Sequence, residues 1–330
     1  MGALKNVLEP LAIASLLTLG AWINRTVCPR FDVEDPVRTP FLRHEPTEGS
    51  WDDGDVSTEE AAFKAHRRKS RLNIPSRVLK KFPFILEIWY WLLIYWVYQG
   101  ARAVSARLID GNEATFAKAE KHAIQLLHLE HILKIDIELT LQQFILTQAP
   151  RVMRVLAIIY YSHIVVGVAF YVYSYTSFPR RRYEAIRRSL ALMNIFAFFI
   201  VTLWRCTPPR LLPKEFGFDD VLHKSTAGSA WTHNKFQLTI AAMPSLHFGA
   251  SVFLACCTVA FSPHTMLRLI APVWPMMMGL TVVATANHFV LDMVVGVAVV
   301  ASAYGLNRVM LVLLPVEKVF LRCLRLEKPR

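Results

Sequence analysis

Apolar residues in this chain gather into long blocks, at 7–23, 83–104, 152–175, 190–204, 246–261, 269–286 and 289–314. About 20 mostly apolar residues in a row are enough to carry a helix across a bilayer. The pattern therefore predicts an all-α, polytopic membrane helix bundle preceded by an N-terminal anchor helix. The first block contains Glu9 and shows no small-residue cleavage pattern at its end, so it reads as a retained anchor rather than a signal peptide. The blocks at 190–204 and 246–261 are short for a span, which leaves their ends open.

Two stretches break the pattern. Between the second and third blocks, Leu126, Leu127, Leu129, Ile132, Leu133, Ile135, Leu139 and Leu141 are interleaved with His128, Glu130, His131, Lys134, Asp136 and Glu138. That mixture predicts amphipathic helices lying in the interface, with the histidines and acids on a polar face. Residues 28–81 are polar, with prolines at 29, 36, 40 and 46, an acidic run at 51–55, and a helix start at Asp55-Val56-Ser57-Thr58-Glu59-Glu60. The chain so divides into an anchor (1–24), a polar cytoplasmic loop (25–81), a membrane domain (82–318) and a basic tail (319–330).

Composition agrees with this reading. The 330 residues are 54% hydrophobic, against about 45–50% in soluble domains. The net charge of +12 sits beside the apolar blocks, at 66–71 with Lys80 and Lys81, at 180–188, and in the tail at Arg322, Arg325, Lys328 and Arg330. Such placement is that of cytoplasmic loops under the positive-inside rule and argues against a nucleic-acid partner. The five cysteines form no disulfide framework and no metal-ligand spacing. Asn24-Arg25-Thr26 matches a glycosylation sequon but abuts the membrane on the cytosolic side, so it reads as a chance match.

Chemistry concentrates where polar loops meet the late apolar blocks. In Met243-Pro244-Ser245-Leu246-His247 the proline suits a helix start. Ser245 and the N–H groups after it would face an anion, and His247 stands near enough to deliver a proton to it. In Asn287-His288-Phe289-Val290-Leu291-Asp292, His288 and Asp292 share a helical face. A carboxylate there holds one imidazole nitrogen protonated and leaves the other free as a nucleophile. Orienting all three basic clusters to the cytosol puts both motifs on the opposite, lumenal face.

These two motifs resemble the second and third signatures of the type-2 phosphatidic acid phosphatase superfamily. Leu129-Glu130 with Gln142, Tyr160 and His163, and Pro208-Pro209-Arg210-Leu211-Leu212-Pro213 bring the resemblance closer to the inositol phosphorylceramide synthase-like branch. The resemblance implies a six-helix core and a metal-independent reaction, without cofactor, through a phosphohistidine. On this chain it makes His288 the nucleophile, Asp292 its orienting carboxylate and His247 the proton donor and acceptor. Ser245 and Asn287 become phosphate ligands, and Tyr160 and His163 line a substrate pocket. The wider superfamily has an Arg six residues before the nucleophilic His and a Lys seven before Arg-Pro; here those positions hold Val282 and Leu203. Phosphoryl transfer needs positive charge at the phosphate, so Arg210, then Lys214, are the candidates to supply it.

The expected activity is transfer of a phosphoryl head group between membrane lipids, from a phospholipid donor to a lipid alcohol. The specific form is inositol phosphate passing from phosphatidylinositol to a ceramide-like acceptor in an endomembrane, the Golgi or endoplasmic reticulum. The alternatives are a phosphatase acting on lipid phosphates or polyprenyl diphosphates, and a non-catalytic lipid transporter.

Overall fold

A computed structural model describes residues 2–26, 74–222 and 239–326, with side chains from residue 8 onward. The acidic run, the helix start at 55–60, the basic stretch at 66–71 and the last tail residues lie outside the described residues.

Among the described residues the structure is helical, with no strand and a single isolated bridge between Cys206 and Ala241. The helices are α1 (Gly2–Ile23), α2 (Ile74–Lys81), α3 (Phe84–Ile109), α4 (Glu113–Leu133), α5 (Glu138–Gln148), α6 (Pro150–Ser177), α7 (Arg180–Leu203), α8 (Leu246–Phe261), α9 (Thr265–Ile270), α10 (Val273–Ala284), α11 (Val290–Gly305) and α12 (Leu314–Cys323). Three stretches are long and apolar enough to cross a membrane, namely Pro150–Ser177, Arg180–Leu203 and Thr265–Ala284; a bent pair beginning at Val290 makes a fourth if it is one span. The predicted 190–204 block thus belongs to a longer helix that begins at Arg180. Short apolar helices at Leu8–Ile23 and Leu246–Phe261 complete the set. The fold is an all-α membrane bundle, as the blocks predict.

The chain forms two compact units. One comprises Met1–Gly20 and Ile88–Leu313, the other Ala21–Glu87 and Leu314–Arg330. In the second, Thr26 donates its hydroxyl to the Lys80 carbonyl at 2.6 Å and its N–H to the Lys81 carbonyl at 2.8 Å. The sequon threonine is therefore occupied in holding the chain.

In the first unit, α11 packs against α7 and α8, while α10 packs against α5, α6 and α8. The core between α6, α7, α8 and α11 is built from Phe170, Ile186, Leu192, Phe253, Leu254, Val299 and Val300. A second cluster, Met278, Val282 and Val283, faces Tyr160 and Val290. Val282 is fully buried in it. A guanidinium at that position would have to lie among these apolar side chains, a costly desolvation.

α4 and α5 depart in part from the expected polar face. Glu130, Glu138 and Gln142 have no solvent exposure at all, and His122 is buried. His131, paired with Asp136 at 2.8 Å, keeps the expected outward face. The buried acids are explained by their partners, described next.

Candidate active site

Two glycines set the spacing between the motif helices. A Cβ on Gly249 of α8 would stand 2.5 Å from the Gly296 carbonyl oxygen of α11, closer than any real contact of that kind. A Cβ on Gly296 would run into the Ser245 carbonyl. The backbones touch, and the Ser245 N–H donates to the Asp292 carbonyl at 3.0 Å. Small residues permit such close approach in membrane bundles, and here it sets His247 beside His288.

The His288 ring centroid lies 5.7 Å from that of His247. Its Nδ1 is 2.6 Å from the Ala242 carbonyl oxygen and 3.6 Å from Asp292 Oδ2. A carbonyl can only accept, so Nδ1 carries the proton and Nε2 keeps its lone pair. The Ala242 carbonyl holds the shorter contact to Nδ1, and the Asp292 carboxylate expected to orient the ring stands next to it at 3.6 Å, near enough to interact electrostatically with the imidazole. Asp292 Oδ2 also accepts the Phe289 N–H at 2.9 Å.

His247 is flanked by the two residues singled out on α6. Tyr160 stacks on it at 4.6 Å between centroids, and His163 meets it edge-on at 4.4 Å. His163 Nδ1 is 2.7 Å from the Tyr160 carbonyl oxygen, so it too donates from Nδ1 and keeps Nε2 unprotonated.

Arg210 is fixed from three sides. Its N–H donates to the Ala286 carbonyl at 2.9 Å, Nε donates to Asn287 Oδ1 at 2.9 Å, and Nη1 to Asp220 Oδ2 at 3.0 Å. Asn287 in turn donates to Thr285 Oγ1 at 2.7 Å. The amide predicted as a phosphate ligand is thus engaged in holding the arginine. The turn that makes this possible is strained, because Ala286 has a φ of 52°. A left-handed non-glycine residue costs roughly 1–2 kcal/mol.

Two predicted ligands stand apart. Lys214 is exposed on the 3₁₀ turn Lys214–Phe216 and does not line the cavity that holds the histidines. It lies past Pro213, beyond the hydrogen bonds that pin Arg210. Ser245 is wholly buried, its hydroxyl has no partner, and it too is absent from the cavity wall. The helix starts at Leu246 with Ser245 as its N-cap, so Pro244 precedes the helix rather than opening it.

Three carboxylates cap α11. Asp292 takes the Phe289 N–H, Glu138 Oε1 the Val290 N–H at 2.9 Å, and Glu130 Oε1 the Leu291 N–H at 2.7 Å. Acids at a helix start answer both its free N–H groups and its positive dipole end. The second oxygens of Glu130 and Glu138 are buried without a partner. Burial pushes the Glu130 carboxyl up to about 9, with the neighbouring Glu138 adding to the rise and the Leu291 N–H opposing it. The partners of these acids lie more than 150 positions away in the chain, so their spacing along the sequence gave no sign of the pairing.

The histidines line one cavity of about 380 Å³, with Tyr160, His163, Arg210, Asn287 and Pro244. α3 contributes Tyr95, Tyr98, Gln99 and Arg102 to its wall, residues the sequence reading passed over. Their i, i+3, i+4, i+7 spacing is the signal that could have found them. No group of His, Cys, Asp and Glu suited to a metal occurs among the described residues. The arrangement provides an imidazole with a free nitrogen, a second imidazole 5.7 Å away and two arginines. This is equipment for attack on a phosphorus atom and protonation of what leaves it.

No curated protein and no solved structure matches the chain. The family model of the PAP2 superfamily matches residues 124–306, more than half of the sequence, and takes in both motifs, Arg210 and the two capping glutamates. The chain belongs to the PAP2 superfamily, an integral membrane protein of a family of lipid phosphatases and phosphotransferases.

Proposed function

We propose that this protein is a phosphotransferase that moves a phosphoryl head group between membrane lipids through a phosphohistidine. The observation that carries the reading is the His247–His288 pair on one cavity wall, with His288 Nδ1–H fixed on the Ala242 carbonyl. His288 Nε2 attacks phosphorus, the P–N bond forms, and the P–O bond to the donor lipid's alcohol breaks. His247 gives that oxygen its proton. The acceptor hydroxyl then passes its proton to His247 and attacks phosphorus, and the P–N bond breaks. Arg210, aimed by Asn287 and Asp220, meets the charge on the non-bridging oxygens. Asp292 and the carboxylate cap hold α11 and so the nucleophile.

The substrate pair is inositol phosphate from phosphatidylinositol to a ceramide-like lipid alcohol, a choice that rests on the resemblance of the motifs to the inositol phosphorylceramide synthase-like branch. The site faces the lumen of an endomembrane, opposite the basic clusters. In domain terms, 82–318 is the catalytic part, 1–24 the anchor, and 25–81 and 319–330 are cytoplasmic.

Purified protein in lipid nanodiscs, given labelled phosphatidylinositol with and without ceramide, tests the proposal. Label transfer to ceramide that His288→Ala or His247→Ala lowers by on the order of 10⁴-fold supports it. Turnover that survives either substitution overturns it. Free inositol phosphate released without acceptor assigns the same chemistry to a phosphatase, for which water replaces the lipid alcohol in the second step.

A further inference from the structure

The cavity's charge is uneven in a telling way. Among the described residues that line it there are two arginines and no carboxylate. Arg210 is already partly neutralised by Asp220. Arg102 is not. Among the described residues it makes no hydrogen bond or ion pair, and its guanidinium lies 5.6 Å from the centre of the Tyr98 ring on the preceding turn. Its charge acts on both His247 and Tyr160. An arginine in a mostly apolar helix, half-buried and facing a cavity whose described lining holds no carboxylate, is placed to take an anion.

The rest of the same helical face is chosen for a polar ligand. Tyr95, Tyr98 and Gln99 line the cavity beside Arg102, and Gln99 donates to the Tyr95 hydroxyl at 3.4 Å. Phenols and a carboxamide next to a guanidinium suit a phosphate carrying hydroxyl groups. α3 also lies wholly before residue 124, where the superfamily match begins.

We infer that Arg102, with Tyr98 and Gln99, forms a head-group subsite that binds the phosphodiester of the lipid donor in the cavity Arg210 also lines, and discriminates among donors. The inference rests on the proposed phosphotransfer at His288 but is tested separately from it. The shared chemistry is a phosphate, which a lipid head group or free phosphate can supply. The lipid is favoured, because Tyr95, Tyr98 and Gln99 add donors and acceptors beside the guanidinium that a hydroxylated head group can engage together with its phosphate.

Full-length protein in nanodiscs is assayed as wild type, Arg102→Gln, Arg102→Lys and Gln99→Leu, with phosphatidylinositol or phosphatidic acid as donor. Binding of labelled phosphatidylinositol is measured in the His288→Ala background, where no chemistry occurs. Arg102→Gln is expected to raise KM and weaken donor binding about 10–100-fold, chiefly in KM, with Arg102→Lys restoring part of the loss. Gln99→Leu is expected to weaken phosphatidylinositol more than phosphatidic acid. Inhibition by added inorganic phosphate weakens alongside donor binding if the guanidinium reads the phosphate itself. Donor binding unchanged in a folded Arg102→Gln protein, or a change confined to inorganic phosphate, overturns the subsite. Retained turnover in His288→Ala defeats the phosphotransfer reading instead, and donor binding in that background still decides the role of Arg102.

Discussion

Replacing Gly296 by alanine puts a methyl into a place already held by backbone. The new Cβ meets the Ser245 carbonyl far inside contact distance, and the partner position Gly249 shows the same crowding, with its Cβ 2.5 Å from the Gly296 oxygen. Neither neighbour is a side chain that can swing away. Restoring an ordinary 3.4 Å contact at Gly249 means parting α8 and α11 by about 0.9 Å. His247 rides on the first turn of α8 and His288 directly precedes α11, so the 5.7 Å between their rings widens with the helices. A misplacement of about 1 Å at reacting groups costs on the order of 10²-fold in rate, and overpacking of this kind costs about 1–3 kcal/mol in stability. Gly249→Ala and Gly296→Ala are therefore expected to lower kcat about 100-fold and to lower the melting temperature in detergent. Gly167→Ala on α6, whose Cβ would meet nothing within 4 Å, is expected to leave both unchanged. Wild-type kcat and melting in Gly296→Ala would show that the helix crossing does not set the distance between the imidazoles.

Other outcomes follow from particular contacts. Arg210→Ala is expected to cut kcat/KM by about 10²–10³-fold, while Lys214→Ala, exposed and outside the cavity wall, leaves it within about twofold; equal losses in initial-rate assays would contradict the placement. The Glu130 carboxyl is raised from its ordinary 4.5 to about 9, so between those values the folded state holds a proton the unfolded state has lost. Its contribution to stability is fully present below 4.5 and is lost as pH rises through about 9. Melting temperature should fall from about pH 6 to about pH 9, and Glu130→Gln, whose amide both accepts from Leu291 and donates to Glu138, should flatten that decline. Ala286→Gly relieves the φ of 52° and is expected to raise the melting temperature, by up to about 1 kcal/mol of stability, with activity retained; a fall in melting temperature would mean that the turn is not strained.

The spans at Pro150–Ser177, Arg180–Leu203 and Thr265–Ala284 were legible because a bilayer demands long apolar runs whatever their partners. The 83–104 block, diluted by tryptophan and tyrosine, instead forms a helix that is not among the stretches apolar enough to cross. The two histidines were legible because each sits beside a helix start, where a polar side chain can reach a site. The surroundings of Ser245 were not legible, because its own N–H bonds to the Asp292 carbonyl and its hydroxyl is enclosed, contacts that only the helix crossing creates. Glu130 and Glu138 looked like a solvated face since only tertiary contacts reveal what they cap. Arg102 was not legible because it lies in an apolar block rich in tryptophan and tyrosine, where only the folded bundle shows which face meets the cavity.

The carboxylate cap also fixes an order of events in biosynthesis. Glu138 and Glu130 serve N–H groups 152 and 161 positions further along the chain. While the ribosome is still making the intervening spans, these acids have no helix end to dock on and stay in contact with water or a chaperone. The proposed site is therefore completed only when the last third of the polypeptide has been inserted, and a chain truncated before Leu291 lacks the helix end that both glutamates serve.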